Sequence, residues 1–311
     1  MAVPVSVTQA GVTAGDARAL DASRAAFSDR HAVHLPGLLA PTLLSAAQRA
    51  LESADFSPVV GGFYAETRLG PGPLWHHLLF LINDPAMFRL VEVMTGCDPI
   101  GCFMGRVYRR GADGHFDDWH DDAIQDRMIG MSINLGAESF DGGALRLRER
   151  ASQRVVYDRA NTVPGDAVVF RISEDLQHIV TPVEGQGSRT AFAGWFKRAP
   201  DFRDTMLRQA TAGISGPGSE PAALPLRLRP ASTVAFHGLD DELLVHCLAT
   251  DRFARLDPIS RRIWELVYER QAVRDVPAAL AAQYDVTAAD AAHETSRVLR
   301  ELVALGLLEA A

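Results

Sequence analysis

The chain has 311 residues, 47% hydrophobic and 23% charged, an ordinary globular balance with length enough for two domains. Its formal net charge of −8 excludes a nucleic-acid or anionic-membrane partner held by bulk electrostatics. The opening "MAVPVSVTQAGVTAGD" lacks the basic start and apolar block of a secretory signal, and no stretch reaches the ~20 apolar residues of a membrane span, so a cytoplasmic protein is expected. Cys97, Cys102 and Cys247 form no CxxC pair and leave an odd count, which predicts reduced thiols acting as small buried hydrophobes.

From about Asp16 to Met94, "PTLLSAAQRALESA" and "LWHHLLFLINDPAMFRLVEVM" carry apolar residues at spacings of three and four, which predicts helix. A short strand, "HAVHL", interrupts it. From Ile100 to Arg198 the texture becomes short apolar runs broken by turn residues, such as "RMIGMSINL", "FDGGALRLRE" and "VPGDAVVFRI", and predicts a β barrel or sandwich. Residues 206–230 collect glycine, proline and small residues without periodicity and predict a linker between domains at 1–205 and 231–311.

The second domain is expected to hold strands at "TVAFHG", "ELLVHCLAT" and "RFARLD", then three helices. Asp257-Pro258 and Thr287 with Asp290 read as helix starts, and Gly306 as a C-terminal cap. Ala291, Thr295, Val298, Leu302 and Leu305 form one stripe of the last helix. This strand-then-helix order is winged-helix-like, for which DNA binding is the naive reading. Ser232 to Ala311 contains eight arginines, no lysine and thirteen acidic residues, a negative balance that argues against it.

Chemistry concentrates in "HFDDWHDD", residues 115–122, where His115/Asp117 and His120/Asp122 each place a carboxylate two residues after an imidazole. On a strand such a pair shares one face. Two imidazoles and one carboxylate on one side of a metal make a non-haem Fe(II) oxygenase site with positions left open. His178, after the strand-like "GDAVVFRI", is the natural third ligand. Arg189, eleven residues on, is expected on the next antiparallel strand, with a planar fork suited to a carboxylate.

The ordered set "VYRRG", HxD, "RMIGMSINL", "DGGALRL", "VPGDAVVF", His178 and "SRTAFAGWF" resembles the Fe(II)/2-oxoglutarate-dependent oxygenases, particularly their prolyl-hydroxylase-like and phytanoyl-type branches, over residues 28–198. The resemblance implies an α+β fold in which N-terminal helices buttress a double-stranded β-helix (jelly-roll). It implies that Fe(II), 2-oxoglutarate and O2 are used for hydroxylation, with Arg189 clamping the far carboxylate of 2-oxoglutarate and Tyr108 near it. The family's habit of an aromatic or polar residue just before the ligand (Trp119) and an arginine after it (Arg127) favours His120, Asp122 and His178 as the metal ligands. His115, Asp117 and Asp118 are then expected as a solvated acidic loop at the mouth, and Asp121 as turned away from Asp122.

Leu256-Asp257, Ile263-Trp264, "YDV" at Tyr284 to Val286 and the closing "ELVALGLL" make residues 231–311 similar to the PqqD family of peptide-recognition elements. That resemblance implies that the leader of a ribosomally made precursor peptide adds as a strand at an edge within "ELLVHCLATDRFARL", with Leu299 and Leu302 flooring the groove. The combined expectation is a hydroxylase acting on a leader-bearing peptide. The competing readings are a hydroxylase of a free or carrier-bound metabolite with a structural second domain, and a non-catalytic peptide-binding chaperone.

Overall fold

The computed structural model describes residues 4–62, 64–112, 115–124, 126–200, 211–212 and 224–311. The fold is mixed α and β around a large antiparallel sheet, in two compact units, Met1–Thr205 and Met206–Ala311.

In the first unit, helices span Ala17–Arg30, Pro41–Glu52, Pro73–Ile82 and Pro85–Thr95. The run "LWHHLLFLINDPAMFRLVEVM" is two helices and not one. Pro85 lacks the N–H that a continuing ladder needs, and Asp84 caps the second helix by accepting from the Ala86 N–H. The expected strand after the first helix is Ala32–Leu35. A hairpin, Val5–Thr8 with Gly11–Ala14, precedes the stretch expected to be helical, and a second, Phe56–Val60 with Tyr64–Leu69, departs from that expectation. Each strand is too short for helical spacing to speak against it.

The large sheet runs Ala32–Leu35, Ala167–Arg171, Arg127–Asn134, Arg189–Lys197, Cys102–Arg110, Tyr64–Leu69, Phe56–Val60, antiparallel throughout. A smaller sheet joins Val155–Ala160, Ala144–Glu149 and Leu176–Val180, and a single bridge from His120 to His178 lies beside it. Ala32, Val168 and Phe170 from the large sheet pack with Leu145, Leu147 and Tyr157 from the small one, so the two sheets share a core. Gly130 is required there: a Cβ would meet the Phe170 ring at 2.2 Å, and that ring packs on the His178 imidazole, centroids 4.9 Å apart.

In the second unit, the sheet order is Thr211–Ala212, Arg252–Leu256, Glu242–Cys247, Val234–Leu239. Helices follow at Pro258–Tyr268, Val276–Gln283 and Ala288–Ala304. Asp257 accepts from the Ser260 N–H and Thr287 from the Asp290 N–H, and Gly306 sits at φ +70° just past the last helix, as their sequence positions suggest. On that helix Ala291, Thr295, Val298, Leu299 and Leu302 are buried, while Leu305 is only half-buried.

Three expectations need correction. Residues 206–210 and 213–223 of the expected linker lie outside the described residues, but its end, Leu228–Pro230, is a strand paired with Leu308–Ala310. Of the expected peptide-binding edge, Glu242–Cys247 is interior to the sheet, and Arg252–Leu256 lies between it and the short outer strand Thr211–Ala212, which pairs parallel to Ala254–Arg255. Leu299 and Leu302 are fully buried and belong to the core, not to a groove floor. Cys102 and Cys247 are buried free thiols, and Cys97 is a half-buried one. Among the described residues, no helix is long and apolar enough to cross a membrane.

Candidate functional site

His120, Asp122 and His178 each offer a ligand atom within 4.8 Å of the other two. His178 comes from the Leu176–Val180 strand, and His120 is held to it by reciprocal backbone hydrogen bonds, 3.1 Å from the His120 N–H and 2.8 Å from the His178 N–H. Residues 121–124 are irregular, so Asp122 reaches the triad from a turn and not from a strand face. Asp122 Oδ1 lies 3.9 Å from His120 Nε2 and Oδ2 lies 3.5 Å from His178 Nε2.

The surroundings set the donor atoms. His120 Nδ1 donates to the Asp118 carbonyl at 2.7 Å, which orients the ring with Nε2 toward Asp122. Burial, then the neighbouring His120, push the His178 imidazole down to about 3, so it stays a neutral nitrogen donor at physiological pH. Asp122 is oriented from both sides: Trp195 Nε1–H donates to Oδ2 at 2.6 Å, and Arg127 donates to Oδ1 at 3.3 Å. Arg127 also stacks over the Trp195 ring at 3.6 Å.

Behind the triad, Arg189 is 2% exposed on the strand Arg189–Lys197. It donates through Nη1 to the Tyr108 hydroxyl and through Nη2 to Ser132 Oγ at 2.9 Å. Among the described residues it has no carboxylate partner, and its Nε is buried without a hydrogen bond. A guanidinium so enclosed calls for an anion. Gly143, at φ +59°, leaves room for it, since a Cβ there would stand 3.0 Å from Arg189 Cδ.

The first HxD pair plays a different part from the one expected. Asp117 is buried, accepts from the Val180 N–H at 2.8 Å and faces Arg110 Nη1 at 3.4 Å, with His120 Nδ1 3.9 Å from its other oxygen. It braces the strand next to His178 and is no part of a solvated lip, because that backbone bond draws it inward. Burial, set against Arg110 and His120, lifts its carboxyl above the usual range. His115 Nδ1 accepts from the Gly111 N–H at 2.7 Å. Asp118 is exposed, and Asp121 pairs with Arg150.

Sequence reading missed Trp195, Ser132 and the charge network around Glu66. Trp195 shares a strand face with Arg189 by even spacing, and Ser132 stands opposite Ala193 on that face, so strand parity was the available signal. Glu66, 1% exposed, accepts from Arg68 Nε at 2.6 Å and Arg106 Nε at 2.8 Å on one oxygen, and from Arg110 Nη2 at 3.0 Å on the other. Burial alone would raise its carboxyl, but Arg106, Arg110 and Arg68 outweigh that and hold it down to about 2, against 4.5 ordinarily. With the folded value below the unfolded one, Glu66 stabilises the fold above pH 4.5 and loses that contribution as pH falls toward 2. We expect roughly 3 kcal/mol of acid-labile stability, at ~1.4 kcal/mol per pH unit of displacement. Denaturant melts between pH 5 and 2.5 should show it, and Glu66→Gln should flatten the slope; an equal slope in the variant places the acid sensitivity elsewhere.

Residues 104–197 match the model of the 2OG-Fe(II) oxygenase superfamily, and residues 247–308 that of Coenzyme PQQ synthesis protein D, PqqD. The chain is a 2OG-Fe(II) oxygenase domain joined to a PqqD domain. As such it is a 2-oxoglutarate-dependent dioxygenase, with Fe(II), 2-oxoglutarate and O2 as its cofactor set. The oxygenase match contains Tyr108, His120, Asp122, His178 and Arg189. The chain is similar in structure to an oxidoreductase of the 2OG-Fe(II) oxygenase family from Burkholderia pseudomallei, at 20% identity and TM-score 0.46 over 58% of this chain and 91% of that one. It is similar also to a Pseudomonas putida prolyl-4-hydroxylase, at 22% identity and TM-score 0.43 over 58% and 98%. TbiB1, solved in complex with the TbiA(beta) leader peptide, is 28% identical over 27% of this chain and 96% of that one, TM-score 0.26. No curated protein matches the chain in sequence. The donor set of the oxygenase domain fits its cofactors: two imidazoles and a carboxylate suit Fe(II), and Arg189, with no carboxylate partner among the described residues, suits a carboxylate.

Proposed function

We propose that this dioxygenase hydroxylates a ribosomally made precursor peptide whose leader is bound by residues 231–311, with His120, Asp122 and His178 as iron ligands and Arg189 and Tyr108 as the 2-oxoglutarate clamp. One observation carries the site assignment: the three ligand atoms lie within 4.8 Å of one another inside the stretch that matches the oxygenase family. The two facing antiparallel sheets are read as a double-stranded β-helix, and the second unit as winged-helix-like.

When bound, iron and 2-oxoglutarate supply the oxidising power: one atom of O2 enters succinate as carbon dioxide leaves, and the other enters the C–OH of the product. The chain's own residues hold and orient. The Asp118 carbonyl presents His120 through Nε2, while Trp195 and Arg127 keep the Asp122 carboxylate from rotating. Arg189, buried and fixed by Tyr108 and Ser132, receives the far carboxylate. The carboxylate ligand is present, which favours hydroxylation over chemistry that needs that position vacant.

For the second unit, the reading rests on the PqqD match and on the sheet strand Arg252–Leu256, which on its outer side pairs with Thr211–Ala212 only at Ala254 and Arg255 among the described residues, so that a leader can add as a strand along the rest. Holding the leader raises the local concentration of the reacting segment without tight binding at the iron. Removing the leader is expected to lower kcat/KM by roughly 10²–10⁴. The assay is oxygen-dependent succinate formation with leader-bearing and leaderless versions of a precursor encoded beside the gene; equal rates favour a metabolite substrate and a structural second unit.

A further inference from the structure

The charge network on the inner face of the large sheet has a surplus of cations next to the triad. Arg68, Arg106 and Arg110 converge on the single carboxylate of Glu66, and Arg110 also faces Asp117. Arg106 and Arg127 both lie over the Trp195 ring, at 5.4 and 3.6 Å, and that ring's N–H is bonded to Asp122. Four guanidiniums therefore stand against the carboxylates of Glu66, Asp117 and Asp122. Arg189 adds a fifth positive charge, and a divalent iron with a 2-oxoglutarate dianion adds none. Two positive charges remain beside the reacting centre of a chain whose overall charge is −8. Asp121 does not offset them, being paired with Arg150, and Asp118 is exposed.

Arg68 and Arg106 keep unused donors. Each reaches Glu66 through Nε alone, and among the described residues none of their Nη nitrogens makes a hydrogen bond. Their side chains are 29% and 24% exposed, against 7% for Arg110, so these two are open to an incoming group. Paired guanidinium forks of this kind match a carboxylate in geometry and charge.

Resting on the peptide reading above, we propose that the residue hydroxylated is acidic, an aspartate or glutamate side chain whose carboxylate is received by Arg68 and Arg106 while its C–H bond faces the iron. The carboxylate is a recognition handle and takes no part in the oxidation. Arg68 and Arg106 act as specificity-determining residues, and the surplus charge draws anionic residues of a peptide ahead of neutral or basic ones.

The test uses the full chain loaded with Fe(II) and 2-oxoglutarate under anaerobic conditions, so that binding is read without turnover. Calorimetry compares N-acetyl-Gly-Asp-Gly-amide with its Asn counterpart and with N-acetyl-Gly-Gly-Gly bearing a free C-terminal carboxylate. The aspartyl probe is expected to bind about tenfold or more tightly than the asparaginyl one, as a charge-assisted bond is worth. Arg68→Gln should remove that preference and Arg68→Lys should keep part of it, with the absorbance of the bound iron and 2-oxoglutarate unchanged in both as the check on folding. Equal affinity for the two side chains, or none for the aspartyl probe, overturns the inference. So does a free-acid probe that binds as tightly as the aspartyl one, since the carboxylate would then belong to a chain terminus. These probes carry no leader, so their outcome stands apart from that of the leader experiment.

Discussion

Alanine at position 120 is expected to abolish the charge-transfer absorbance that Fe(II) and 2-oxoglutarate develop together in the anaerobic protein, while His115→Ala retains it. The two histidines belong to chemically equivalent HxD pairs, so this comparison isolates geometry. His120 Nε2 is 3.9 Å from Asp122 Oδ1 and its Nδ1–H is occupied by the Asp118 carbonyl, whereas His115 Nδ1 is spent on the Gly111 N–H. Removing even an outer partner of a ligating histidine costs roughly 10–100-fold in metal affinity, and removing the ligand itself should cost about a hundredfold or more. Metal titration followed by absorbance reads both quantities. A band lost in His115→Ala and kept in His120→Ala would reverse the proposed ligand set.

Arg189→Gln is expected to raise KM for 2-oxoglutarate by about a hundredfold or more, because truncating one partner of a buried, hydrogen-bonded charge pair costs roughly 2–5 kcal/mol. The starting point is a guanidinium 2% exposed with no carboxylate partner among the described residues. Its charge is energetically incomplete until an anion arrives. Arg189→Lys should recover only part of the loss, since a lysine keeps the charge but not the fork that Tyr108 and Ser132 hold in plane. The measurement is succinate formation against 2-oxoglutarate concentration. An unchanged KM in Arg189→Gln would remove the clamp from the proposal.

What could be read from the sequence was local or periodic. Asp257 before Pro258 and Thr287 before Asp290 announce helix starts because a cap needs only its next few residues. His178 and Arg189 could be found because turn punctuation at "VPGDAVVF" and "EGQGSR" marks where strands begin. What escaped depends on distant partners. Leu228–Pro230 resembles a linker in composition and becomes a strand only because Leu308–Ala310 comes to meet it. Asp117 reads as a solvated acid and Glu66 carries no local signal, and only the fold brings the arginines and the Val180 N–H that bury them. The helical reading of residues 56–69 failed for the same reason, since that hairpin is held by pairing with the strand Cys102–Arg110.

The reciprocal backbone bonds between His120 and His178 have a consequence for how this chain tolerates change. They close a long excursion of chain at its base, next to the two side chains whose spacing matters most. Loop closure grows only slowly more costly with length, so residues added within that excursion, as at the exposed tip Ala151–Arg154, leave the backbone bonds between the two histidines in place. The centre can therefore stay constant while the loops above it diversify, and a catalyst built this way can acquire new substrates by insertion without being rebuilt.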